Sequence, residues 1–175
     1  MDVRSPFAVA SLAALFATFA MPAKAAHLEL QGGRSYMDSY ATQTAFVEGV
    51  FAARRIGDSR WHWSPDVSLG WVQGRDVARY RDARYTTKDD VWLLAAGARF
   101  QYGNDADWYR HLFLSLQPAV TSGRTQALSS GYEFVSTVGW QGDHLSFLIR
   151  HISNAGLHYP NRGETMALIG IGFDL

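Results

Sequence analysis

Eight stretches of this chain alternate apolar and polar residues with a period of two, and that pattern limits the fold more than any other feature. They run His27–Gly33, Thr44–Ala53, Trp61–Gln73, Val91–Tyr102, Arg110–Val120, Gly131–Trp140, His144–Asn154 and Thr165–Leu175. In an extended strand, successive side chains point to opposite faces, so each stretch reads as a strand with one apolar and one polar face. In the third, Trp61, Trp63, Val67, Leu69 and Trp71 share one side, and His62, Ser64, Asp66 and Ser68 take the other. Eight such strands predict an all-β fold, an eight-stranded antiparallel barrel.

Alternation by itself allows two opposite barrels. In a soluble one the apolar line faces inward. In a transmembrane one it faces lipid, and Glu48, Asp66, Arg99, Glu133 and Arg150 fill the narrow lumen, where they can pair. The connections favour the membrane form. Those after strands two, four and six read as short, and those after one, three, five and seven as mostly longer, the longest running from Gly74 to Asp90. Aromatics are 14% of the chain and fall near strand ends, as interfacial girdles require.

The first 25 residues stand apart. Arg4 precedes the apolar run Phe7–Met21, and Ala23-Lys24-Ala25 offers small residues at the positions a signal peptidase reads. The run is shorter than the about 20 residues of a spanning helix. It is expected to be a secretory signal cleaved after Ala25, leaving residues 26–175 as one barrel domain. Export permits disulfides, yet the chain has no cysteine. Formal net charge is zero, so no basic field invites nucleic acid.

The stretch most suggestive of chemistry is RHISNAGLHYPNRGE, Arg150–Glu164. The apolar line Leu145, Phe147, Ile149 continues by twos to His151 and Ser153, which places both on the lipid-facing side near the longer loops. Polar groups on that face are costly unless they act or reach the headgroups. A histidine next to a serine on one face can take its proton as it attacks an ester. Glu164 opens the strand that pairs with theirs and is a candidate for orienting the imidazole. Against this stands the plain alternative of two hydrated polar residues at a strand end.

The run His151-Ile152-Ser153-Asn154-Ala155-Gly156, followed by Pro160-Asn161-Arg162-Gly163-Glu164, resembles the motif of the lipid A 3-O-deacylases of Gram-negative outer membranes. The close match covers about fifteen residues; the signal segment, the eight strands and the chain length agree as well. The resemblance implies an esterase that removes the 3-linked acyl chain of lipid A, with its site toward the outer leaflet and with no metal or other cofactor. It implies Ser153 as nucleophile, His151 as general base, Glu164 as the orienting acid, and Asn154 with the Gly156 amide as oxyanion donors. The chain departs from the pattern in having no residue between Gly163 and Glu164. Counted back from Leu175, the outward line reaches Thr165, so a regular strand would turn Glu164 inward, and only loop geometry or a bulge would free it.

His158 and Tyr159, with Lys88, Arg75, Arg79, Arg81 and Arg84 of the long loop, could meet a phosphorylated headgroup; Asp76, Asp82, Asp89 and Asp90 balance that loop's charge. The expected partners are lipid A and the outer membrane, and the sequence leaves a homodimer open. The rival readings are another lipid-remodelling barrel, an acyltransferase or phospholipase, and a non-catalytic structural or adhesion barrel.

Overall fold

In a computed structural model, residues 27–175 form a closed antiparallel barrel; the expected signal segment lies outside the described residues. Its eight staves are β1 (His27–Met37), β2 (Tyr40–Val50), β3 (Trp61–Val72), β4 (Val91–Tyr102), β5 (Leu112–Ser122), β6 (Tyr132–Gln141), β7 (Leu145–Ser153) and β8 (Glu164–Asp174). Each pairs with its neighbours in sequence, and β1 pairs with β8, which closes the ring and leaves no long edge. A two-residue strand, Arg54–Arg55, extends the ladder beside β3.

The polarity is that of the membrane form. Along β7 the exposed side chains are Leu145, Phe147, Ile149 and His151, and the buried ones Ser146, Leu148, Arg150 and Ile152. Ile149 is 51% exposed while Arg150 is 0% exposed, the reverse of a water-soluble barrel. The lumen is a polar network. Glu48 accepts from Arg99 at 3.0 Å, Arg150 at 2.6 Å and Gln31 at 2.8 Å. Arg150 also donates to Thr137, and Ser115 donates to Asp66. Both guanidiniums stack on inward rings, Arg99 on Phe113 and Arg150 on Phe46. Glu48 and the two guanidiniums hold as buried charge because each faces an opposite partner.

Two expectations about connections need correction. Strands one and two are longer than their alternation suggests, and only Asp38 and Ser39 separate them, with Asp38 at φ 53°. The positive φ suits a tight primed hairpin turn, which an aspartate tolerates. The turns after β2 and β4, residues 51–60 and 103–111, are not short; only 142–144 is. Loop asymmetry is thus weaker than the sequence suggests. The outward apolar faces, not the loops, carry the distinction between the two barrels.

At the end away from the termini, three loops lock together. Residues 73–90 meet 123–131 through Gln126 N–H to Thr86 O at 3.1 Å, and the Gln126 side chain donates to Tyr85 O at 2.7 Å. Gly163 N–H donates to Ala127 O at 3.1 Å, tying in residues 154–163. Beneath them Val77, Tyr80, Ala127 and Leu128 pack on Met37, Ile152 and Met166 of the staves. This apolar plug closes the mouth of the barrel.

Candidate functional site

Strand parity puts His151 and Ser153 on the outward face of β7, as the sequence reading expects: His151 is exposed and Ser153 partly so. Their same-face spacing is about 7 Å between Cα atoms. Among the described residues, no hydrogen bond joins Ser153 to His151, and the serine hydroxyl has no partner. The imidazole turns sideways, with Nδ1 3.0 Å from Thr165 Oγ1 on β8. Thr165 is directly opposite His151 in the ladder, and Ser136 of β6 is opposite on the other side. A polar row Ser136–His151–Thr165 therefore crosses the outward face, with Ser153 one same-face step above it.

Glu164 does not reach His151, which corrects its expected role. β8 is regular from Glu164 onward, with Ile152 opposite Glu164, so its carboxylate turns inward with Ile152. There Arg75 of the long loop forms an ion pair with one oxygen, and Ser35 donates to the other at 2.5 Å. The cause is the direct Gly163–Glu164 junction: without an extra residue, parity sends the acid to the lumen and leaves Thr165 outside. Thr165 is a polar neighbour of His151 that the motif resemblance does not include. The signal for it was present in the parity of the eighth strand and in the hairpin register.

Asn154 and Gly156 are also engaged elsewhere. The Asn154 side chain is buried; its Nδ2 donates to His158 O at 2.9 Å, and its Oδ1 accepts the Gly156 N–H at 3.1 Å. Leu157 N–H closes a turn on Asn154 O, with Ala155 at φ 56° and Gly156 at φ 79°. Glycine suits that left-handed position. In this arrangement both expected oxyanion donors brace the loop, and neither is free for a developing charge. His158 lies within the same brace, its Nδ1 3.1 Å from Ser129 Oγ, whereas Tyr159 is exposed.

Gly163 sets the position of the imidazole. Its φ is +69°, and a Cβ added there would come within 2.8 Å of His151 Cε1. The ring thus rests on a bare Cα. Inside the barrel, the cavity beside Arg75 and Glu164 is about 10 Å³, room for a single water at most. A wider cavity of about 300 Å³ opens at the opposite end, lined by His27, His111 and Asp174, remote from His151. An acyl chain has no space beside Glu164, and His151 faces the outer wall.

The long loop that supplies Arg75 is pinned at its base. Asp90 accepts from Gly74 N–H at 2.8 Å and from the Trp71 indole at 2.9 Å, which holds its carboxyl below the usual carboxylate range. Asp76 is lowered likewise by the fork of Arg81. The basic residues of this loop are in part neutralised within it, as the aspartates beside them suggested.

No protein-family model matches the chain, and no curated protein sequence does either. Solved structures do match in fold. The crystal structure of the outer membrane enzyme PagL aligns with a TM-score of 0.58 and 14% identity, over 85% of this chain and 99% of that one. Ail, the attachment invasion locus protein of Yersinia pestis, aligns at 0.40 with 10% identity, over 87% of this chain and 100% of its own. Neisserial surface protein A aligns at 0.43 with 10% identity, over 89% and 100%. The PagL likeness bears on the fold, which is that of a small outer-membrane barrel.

Proposed function

We propose that this chain is an outer-membrane serine esterase that hydrolyses the 3-O-linked acyl chain of lipid A. The observation that carries the reading is the polar pair His151 and Ser153 on the outward wall, directly above the apolar belt of Leu145, Phe147 and Ile149. A lipid ester sits at that depth, with its acyl chain along the belt and its sugar toward the loops. In the tautomer that carries its proton on Nδ1, beside Thr165 Oγ1 at 3.0 Å, His151 Nε2 has a free lone pair and serves as the base. Ser153 Oγ attacks the ester carbonyl, and the imidazole passes the serine proton to the departing sugar hydroxyl. Water then releases the 3-hydroxy fatty acid by the same route in reverse. The motif resemblance and the outer-membrane barrel fold support the reading. The chemistry needs neither metal nor cofactor.

The test is mass spectrometry of lipid A from cells carrying the wild type or Ser153→Ala. The wild type is expected to remove one ester-linked 3-hydroxy acyl chain, and the variant none. Identical spectra from both would refute the esterase. Transfer of the chain to another lipid would point to an acyltransferase.

A non-catalytic barrel is the second reading. The diversion of Glu164 to Arg75 and the engagement of Asn154 and Gly156 within the loop favour it. It predicts unchanged lipid A whatever stands at Ser153.

A further inference from the structure

The outward faces of the staves are apolar almost throughout, and the exceptions cluster. Apart from the terminal residue of each strand, the polar outward side chains are Gln43 on β2, Arg34 on β1, Thr165 on β8, His151 on β7 and Ser136 on β6. These five strands are consecutive around the ring. Arg34 is the one residue of formal charge among them. It is exposed, lies directly opposite Gln43 on one side and Ala167 on the other, and sits one same-face step below Tyr36, which is opposite Thr165. β1 is two strand spacings from β7, about 10 Å.

Arg34 differs from the barrel's other well-placed cations. Arg75, Arg99 and Arg150 each meet a carboxylate inside. Among the described residues, Arg34 has no ion pair or side-chain hydrogen bond. A cation on a lipid-facing wall is costly at mid-depth and tolerable near the interface, where it needs an anion. The barrel supplies none, so the anion comes from outside. A planar guanidinium matches phosphate oxygens two at a time, and the neighbouring amide of Gln43 can donate to the same group.

We infer that Arg34 and Gln43 form a phosphate subsite on the outer wall. It holds a phosphate of lipid A on the wall beside the Thr165–His151 row, one same-face step from Tyr36. The identity of the ligand rests on the esterase reading; the anion site rests on Arg34 itself.

The experiment uses the full barrel carrying Ser153→Ala, in detergent, with bound lipid counted by native mass spectrometry. The probes are bisphosphorylated lipid A, its dephosphorylated form and phosphatidylglycerol. The bisphosphorylated lipid is expected to bind about tenfold or more tighter than the dephosphorylated one, the range of a charge-assisted pair. Arg34→Gln should remove that preference, and Arg34→Lys should restore part of it. A preference that survives Arg34→Gln overturns the subsite. So does equal competition by phosphatidylglycerol, which would make Arg34 a general headgroup anchor. Hydrolysis is then followed in the barrel with Ser153 intact. Arg34-dependent binding without any hydrolysis would end the esterase reading and leave the subsite standing. Hydrolysis indifferent to Arg34→Gln, with indifferent binding, would end the subsite alone.

Discussion

Arg75 and Glu164 form an ion pair between the long loop and the first residue of β8, with both side chains largely buried. Ser35 completes the carboxylate's partners. This places Glu164 in the architecture of the barrel mouth rather than beside the histidine.

Replacing Glu164 with Ala therefore strands a buried guanidinium, at a cost of about 3 kcal/mol or more. The expected outcome is a barrel that unfolds at lower temperature, seen by its heat-dependent mobility on a gel. Activity per folded barrel should stay near that of the wild type. Adding Arg75→Met should recover part of the loss, a coupling that a double-mutant cycle measures. A large drop in activity per folded barrel would return Glu164 to the site.

Thr165 is expected to orient His151 through the 3.0 Å contact at Nδ1. Thr165→Val keeps the shape and removes the hydroxyl. It should lower kcat about tenfold, with KM nearly unchanged and folding unaffected. Thr165→Ser should restore most of the rate. Equal rates for the Val and Ser variants would show that the hydroxyl has no positioning role.

On the esterase reading His151 and Ser153 work as one unit, so the His151→Ala, Ser153→Ala double variant should be little slower than either single one. Additive losses, measured as release of the 3-hydroxy fatty acid, would mean that the two residues work separately.

Gly163→Ala should displace the imidazole, because the new Cβ meets His151 Cε1 at 2.8 Å and the +69° φ strains any L side chain. Activity per folded barrel should fall further than for Ala155→Gly, which relaxes a positive φ nearby without touching the ring. Similar activities for the two variants would contradict this geometry.

Asp90 offers a pH test of the loop that carries Arg75. Its pKa is lowered first by the Gly74 N–H and then by the Trp71 indole. A depressed folded value gives stability that is present above the ordinary aspartate value, about 4, and is lost as pH falls through the folded one. Hydrogen exchange across residues 73–90 should accelerate in that acid range. Asp90→Asn should flatten the response; an unaltered pH dependence would remove Asp90 as the pin.

The alternation of apolar and polar residues determined the strands, their number and the two faces of each, because a period of two leaves a side chain no other choice. It also placed His151, Ser153 and Thr165 on the same outward face of the wall. It did not say which face meets lipid. Only the closed ring decided that, since Glu29, Glu48, Asp66, Arg99, Glu133 and Arg150 are buried inside it while the apolar line lies outside. The ends of β1 and β2 were hidden because Arg34, Tyr36 and Gln43 break the apolar line that marks the other strands. The direction of Glu164 needed both register and a partner. Parity turned it inward, but only the folded long loop brought Arg75, distant in sequence, to meet it. Asn154 followed the same logic: its side chain could cap a loop or face a substrate, and the packed loop around His158 supplied the bonds that made the choice.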